Sequence, residues 1–296
     1  MGVRLLRRFG AVAVVPVLTI APASVLPAGE SLGHAASSTP GAATKGQGRT
    51  FATYQVVIGD PVTANPGRGQ GAYAYCPAGT VVLGGGESNT LLLPTGAELV
   101  ASNPDDVFNG WHTAFYNASQ AVPVTLRTRV VCGSGIPGYQ LTYLQDQIIP
   151  RGQTRREFSP SCPEGSLTLG GGSDGPQGLR LLDSYPGGTN QWETTVLNIS
   201  LTSEVSTTLY NICGRGITRS LQLSDTVRVA KGGRANATAT CPAGSKVLSG
   251  GGDSSPRGSN LITDTYPSSD GKTWTVYVKN IVDEVSWMRV RVLCGT

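Results

Sequence analysis

The stretch CPAGSKVLSGGGD, Cys241 to Asp253, decides the reading of this chain, because nearly the same phrase occurs twice before it. CPAGTVVLGGGE spans Cys76 to Glu87, and CPEGSLTLGGGS spans Cys162 to Ser173. Each phrase opens a longer unit that continues to a Ser or Thr two residues before a proline, then one tryptophan, an asparagine and a closing CG. The first unit carries these marks at Cys76, Gly84 to Gly86, Ser102, Pro104, Trp111, Asn117, Cys132 and Gly133. The second carries them at Cys162, Gly170 to Gly172, Ser184, Pro186, Trp192, Asn198, Cys213 and Gly214. The third has Cys241, Gly250 to Gly252, Thr265, Pro267, Trp274, Asn280, Cys294 and Gly295. Tryptophan and asparagine are six residues apart in every unit, and the opening cysteine precedes the first triplet glycine by eight, eight and nine. A period of about 80 residues kept this closely marks an internal repeat. The units are placed at 51–135, 136–216 and 217–296.

Within each unit the periodicity is that of strands. TLRTRVVCG and WMRVRVLCG alternate apolar with polar residues, and WHTAFYN, WETTVLN and WTVYVKN do the same with aromatic and β-branched residues. YQVVIGD, YQLTYLQD and SLQLSD open the three units. No sustained helical period is present, so each unit is expected to supply four to six antiparallel strands. With 40 glycines and 19 prolines and no collagen period, the composition fits many turns between short strands. A glycine run inside a strand marks a bend or the close approach of another backbone, and one run per unit places that crowding near a common axis. The other reading, a phosphate loop, requires a following helix and a GK[ST] sequence, which the chain lacks.

All six cysteines belong to the repeat. Six cysteines allow fifteen pairings, and equivalent units favour equivalent staples: Cys76–Cys132, Cys162–Cys213 and Cys241–Cys294. Zinc would need a second ligand near CPAG or CPEG, and neither contains one. Disulfides agree with an exported chain. The first residues agree too: Arg4, Arg7 and Arg8 precede an apolar run with small-residue cleavage candidates at Ala21-Pro22-Ala23 and Gly33-His34-Ala35. Residues 1–35 are therefore expected to be a signal peptide and 36–50 a flexible lead. Pro16, Pro22 and Pro27 disfavour a retained membrane helix. Loss of residues 1–35 lowers the formal net charge from +4 to about +2, which is no nucleic-acid footprint. Leu93-Pro94-Thr95-Gly96 is too short and too internal for a sortase signal.

Catalytic equipment is sparse. His34 falls in the signal segment, and His112 stands where the other units have Glu193 and Thr275, so no nucleophile–base set can be assembled. A carboxylate-dependent hydrolase is the enzymatic reading that remains. Neither a catalytic residue nor a cofactor or metal site is assigned. After each glycine run comes an acid, Glu87, Asp174 or Asp253, in what reads as a turn. Such a group could satisfy nearby backbone donors, ligate calcium or accept sugar hydroxyls. The repeat tryptophans read as core; Trp287, outside the pattern, is the candidate surface aromatic. Asn117, Asn198 and Asn236 head N-x-[ST] sequons, of which the first two coincide with the repeat asparagine.

The CP-x-G, glycine triplet, S-x-P step, Trp, Asn and closing Cys over about residues 54–296 resemble a set of secreted actinobacterial proteins, a likeness that carries no activity. Three glycine-rich β units are also similar, at the level of architecture, to β-prism proteins such as the vitelline membrane outer layer protein and jacalin-type lectins. Gly170 to Asp174 fits the glycine–aspartate pattern of jacalin-type sugar sites, and the other two units do not. The resemblance implies an all-β, threefold pseudosymmetric prism of three antiparallel sheets with one disulfide per repeat; three tandem sandwiches are the alternative. The function expected is a secreted, non-catalytic binding protein for a carbohydrate or cell-envelope polymer, with Glu87, Asp174, Asp253 and Trp287 as candidate ligand residues. A structural or protein-interaction role in the envelope is the second expectation. No nucleic-acid partner is expected, nor a membrane once the signal is cleaved.

Overall fold

The computed structural model describes residues 51–89 and 96–296. The expected signal peptide, the lead and most of the Leu93–Gly96 stretch lie outside them. Among the described residues every regular element is a strand. The first unit holds β1 (Tyr54–Ile58), β2 (Val62–Ala64), β3 (Gly69–Tyr75), β4 (Val81–Asn89), β5 (Ala97–Asp105), β6 (Gly110–Asn117) and β7 (Val124–Gly133). The second holds β8 (Gln140–Ile149), β9 (Thr154–Phe158), β10 (Leu167–Asp174), β11 (Leu179–Pro186), β12 (Trp192–Asn198) and β13 (Val205–Gly214). The third holds β14 (Arg219–Leu223), β15 (Val227–Val229), β16 (Arg234–Thr240), β17 (Lys246–Ser255), β18 (Asn260–Pro267), β19 (Thr273–Asn280) and β20 (Ser286–Gly295). The units thus supply seven, six and seven strands, so the second meets the expected four to six and the first and third exceed it by one. The extra strands arise where the opening segment breaks at Asp60-Pro61 and at Ser224-Asp225. In the second unit it runs on as β8 across a left-handed residue, Asp146, with φ 55°.

The sheets do not follow the units. The first sheet runs β1-β7-β4-β18-β19-β16, the second β3-β6-β5-β10-β13-β8 and the third β14-β20-β17-β11-β12-β9. Each unit is split into two halves that lie in different sheets, and each sheet joins halves of two units in a closed cycle. This is the threefold pseudosymmetric prism, and it excludes tandem sandwiches, since no unit completes a sheet by itself. The joins are short. Single register pairs link the halves: Ser102 with Ser173, Ser184 with Gly252, and Thr265 with Glu87.

The repeated phrase is the machinery of this interlock. In CP-x-G, Gly79, Gly165 and Gly244 take φ of 81°, 74° and 83°, and the next amide donates to the proline carbonyl, a turn that needs a glycine. A bulged leucine follows (Leu83, Leu169 or Leu248), fully buried, with the closing-CG glycine packed on it; a Cβ on Gly133, Gly214 or Gly295 would lie 2.7 to 2.9 Å from the leucine Cδ1. The next position sits where the three sheets meet: a Cβ on Gly84 would come within 2.5 Å of Ser249 Cβ, and one on Gly170 would strike the Leu83 carbonyl. Gly85, Gly171 and Gly250 lie under the rings of Trp111, Trp192 and Trp274. Gly86, Gly172 and Gly251 lie against the carbonyls of Thr265, Ser102 and Ser184 of the neighbouring unit.

The Ser or Thr before the proline accepts the indole N–H of its own unit's tryptophan, at 2.9 Å in all three copies. The repeat asparagines are buried and pin the strand-joining loops. Asn117 Nδ2 donates to the Ala64 and Val122 carbonyls while its Oδ1 accepts from Ser119 N, and Asn198 and Asn280 repeat the arrangement. The three expected disulfides are formed, each with Cα atoms 5.6 Å apart. Each one ties the two halves of a unit across two sheets, and three of them indicate an oxidising, extracellular environment. Among the described residues no helix is long and apolar enough to cross a membrane.

Candidate functional site

Strand register gives the three units a common frame, and it separates the acids that the sequence aligned. Ser249, not Gly250, is the counterpart of Gly84 and Gly170, since it pairs with Leu293 as they pair with Val131 and Ile212. Glu87 therefore corresponds to Ser173 and Gly252, whereas Asp174 and Asp253 correspond to each other and to Ser88. All of these positions are in strands, not in turns as expected. The three acids lie on three different sheets, so they share no site.

Glu87 is fully buried in β4 and neither carboxylate oxygen has a hydrogen-bond partner among the described residues. Burial, with the nearby Asp264, pushes its pKa well up. A fully buried side chain cannot meet a ligand at the surface, and that corrects its place among the candidates.

Asp253 and Trp287 are brought together. β17 and β20 pair with Asp253 opposite Arg289 and Ser255 opposite Trp287. A cleft of about 300 Å³ opens there, lined by Thr226, Asp253, Ser254, Ser255, Trp287, Met288 and Arg289. Trp287 is 42% exposed, whereas the three repeat tryptophans are at most 2% exposed. Asp253 Oδ2 accepts from Arg289 at 2.9 Å and from Arg291 at 2.5 Å, and the Arg291 guanidinium covers the Tyr185 ring at 4.4 Å. The hydrogen bond to Asp253 holds Arg289 more firmly charged. Beneath the rim Ser254 donates to Asp183 at 2.5 Å; burial raises that acid to about 6. The cleft thus offers an indole face, a carboxylate–guanidinium pair and hydroxyls on a paired-strand floor, a set suited to a ligand with an apolar face and a ring of hydroxyls.

Further along the same sheet, Glu193 takes Arg156 at 2.7 Å and Arg257 at 3.1 Å, and the Tyr185 hydroxyl also donates to it. Burial works to raise Glu193, but the hydrogen bonds from Arg156 and Tyr185 win and hold it below the usual range.

Asp174 stands elsewhere, on the outer face of the second sheet. Tyr73 stacks on Tyr75, with centroids 6.1 Å apart, and on His112 at 4.7 Å; Tyr143 and Tyr210 are 6.2 Å apart. Burial lowers the His112 pKa, against Asp174 and Asp105, which act to raise it. Sequence reasoning took His112 as an isolated side chain and read Arg289 and Arg291 only as the polar half of an alternating strand. A signal for the arginines was present: RTRVVCG and RVRVLCG share two arginines that TLYNICG replaces with threonine and tyrosine.

Compared with known proteins, the chain matches no family model and no curated sequence. Fold and site define it as an all-β, disulfide-stapled, interlocked prism with a surface cleft framed by tryptophan, aspartate and arginine.

Proposed function

We propose that this is a secreted, non-catalytic carbohydrate-binding protein, with a cell-envelope glycan as its ligand class and the Asp253–Trp287 cleft as its binding site. The observation that carries this reading is the exposed Trp287 indole beside the Asp253–Arg289 pair. A pyranose ring lays its C–H face on the indole and gives its hydroxyls to the carboxylate and guanidinium. Asp253 Oδ1 accepts only a long 3.4 Å contact from Arg289, which leaves it acceptor capacity for a sugar hydroxyl. The apolar N-terminal segment and the three disulfides support export. The likeness of the repeat to secreted actinobacterial proteins also supports export, and that of the architecture to β-prism lectins supports the ligand class. The test is binding of the oxidised protein, without residues 1–35, to a panel of cell-wall polysaccharides and glycans. Saturable binding that Trp287→Ala weakens by tenfold or more is expected. Binding unchanged in Trp287→Ala, or silence across the panel from folded protein, overturns the reading.

A further inference from the structure

The molecule carries three pseudo-equivalent outer faces, and two of them fill the same spot with their own arginine. On the third sheet Arg291 lies over Tyr185 and pairs with Asp253, joined by Arg289. On the first sheet Arg129 lies over Tyr266 at 4.8 Å and donates to Ser88, the counterpart of Asp253, at 3.0 Å. On the second sheet the register puts Tyr210 where Arg129 and Arg291 stand, and Thr208 where Arg127 and Arg289 stand. The acid is nevertheless retained, as Asp174. Its carboxylate accepts from the Gly175 amide at 2.7 Å and takes part in none of the ion pairs among the described residues.

Around this spot the face is rich in exposed rings. Tyr73 is 43% exposed, Tyr75 49% and Tyr143 49%. Register sets Tyr73, His112 and Asn103 in one row across β3, β6 and β5, and Gly172, Tyr210 and Tyr143 in another across β10, β13 and β8; the rows meet where Gly172 lies against Asn103, two residues from Asp174 on its own strand. Aromatic faces next to an uncompensated carboxylate attract an organic cation, and a planar guanidinium suits them best, since it stacks on a ring and forks onto a carboxylate at once. The equivalent Asp253 does bind two guanidinium groups, which shows what this position in the fold accepts.

We infer that the outer face of the second sheet, centred on Asp174 with Tyr73, His112 and Tyr210, is a docking site for an arginine side chain of a partner polypeptide, whose guanidinium takes the place that Arg291 and Arg129 fill on the other two faces. This site is separate from the glycan cleft, which lies on another sheet, and its failure would leave that reading standing.

The test is a titration of the oxidised protein with the blocked peptide Ac-Gly-Arg-Gly-NH2, followed by NMR. Its neutral isostere, in which citrulline replaces arginine, is titrated in parallel. Millimolar binding that moves the resonances of Tyr73, His112 and Tyr210 is expected for arginine, with at least about tenfold weaker binding of citrulline. Asp174→Asn should weaken arginine by a similar factor. Tyr210→Arg, which puts at this register position the residue that the two other faces carry, should block the site from within. Equal binding of arginine and citrulline, unmoved resonances at this face, or wild-type affinity in both variants overturns the proposal.

Discussion

Mild acid should stabilise this protein. Asp264 and Asp183 occupy equivalent places beside the joins of the first and third sheets; burial raises their pKa from the ordinary 3.8 to about 7 and about 6 respectively. Glu87, one register step from Asp264 across the same join, is pushed up in the same direction. A carboxyl whose folded pKa exceeds its unfolded value binds its proton more tightly in the fold. Stability therefore rises as pH falls through the folded pKa, and the gain is complete near the unfolded value. At about 1.4 kcal/mol per pH unit, Asp264 alone makes the fold ~4 kcal/mol more stable near pH 4 than at pH 8, and Asp183 adds ~3. Glu193 opposes this, since its depressed pKa withdraws stability once acid reaches its ion pairs. The expected profile climbs from pH 8 to about 5 and turns over below. With about 2–4 °C per kcal/mol for a domain of this size, Tm should rise by 10 °C or more over the climb. The decisive variant is Asp264→Asn, which keeps an oxygen to accept from Asn89 N, a bond of 2.6 Å in the wild type. It should be more stable than wild type at pH 8, match it near pH 4, and reduce the slope between them. Urea unfolding at fixed pH values reads all three. A Tm that is flat or falls from pH 8 to 5, or an unchanged slope in Asp264→Asn, refutes the assignment of buried, proton-holding acids.

Two further outcomes follow from the interlock. Gly86→Ala places a methyl against the Thr265 carbonyl of another unit, and backbone cannot yield as a side-chain tip does; thermal melts should show a loss of 3 kcal/mol or more, or no folded protein. Replacing Cys76 and Cys132 together by serine opens a link of 56 residues in sequence, for which loop entropy predicts a loss of ~4 kcal/mol, measurable by denaturant unfolding against the oxidised wild type.

The repeat made the fold legible because its marks are the positions where a second chain segment leaves no room. Gly85 is constrained by Trp111, Gly86 by Thr265, Gly133 by Leu83, and Asn117 by two loop carbonyls, so spacing alone exposed the module and the disulfides. What spacing did not expose was the sharing of each module between two sheets. Strand alternation looks the same whichever strand lies alongside, and the joins that set the connectivity are single pairs such as Ser102 with Ser173. The acids misled for a local reason: Ser249 took the first glycine's place at the axis, and one residue of slip sends a side chain to the opposite face. Trp287 was found because it breaks the repeat, and Asp253 because an acid follows each glycine run. Asp174 was found too, but its meaning required knowing which residues of the neighbouring strand the fold sets beside it.

The interlock also explains why divergence gathers on the outer faces. An interior position in one unit touches the other two at the axis, so a change there must be tolerated by three sheets at once, and Ser249 among Gly84 and Gly170 is the departure seen at that layer. An outward position faces only its own sheet and solvent. Arg129, Tyr210 and Arg291 share one register position, yet their faces differ: one has a polar Ser88–Arg129 contact, one has Asp174 among tyrosines, and one has a doubly bridged Asp253 beside a cleft. Three copies of one scaffold thus present three chemistries, and a single ligand bound identically by all three faces is not what this surface is built to take. Binding stoichiometry carries that consequence: one glycan per chain at the Trp287 cleft, against three for a symmetric lectin.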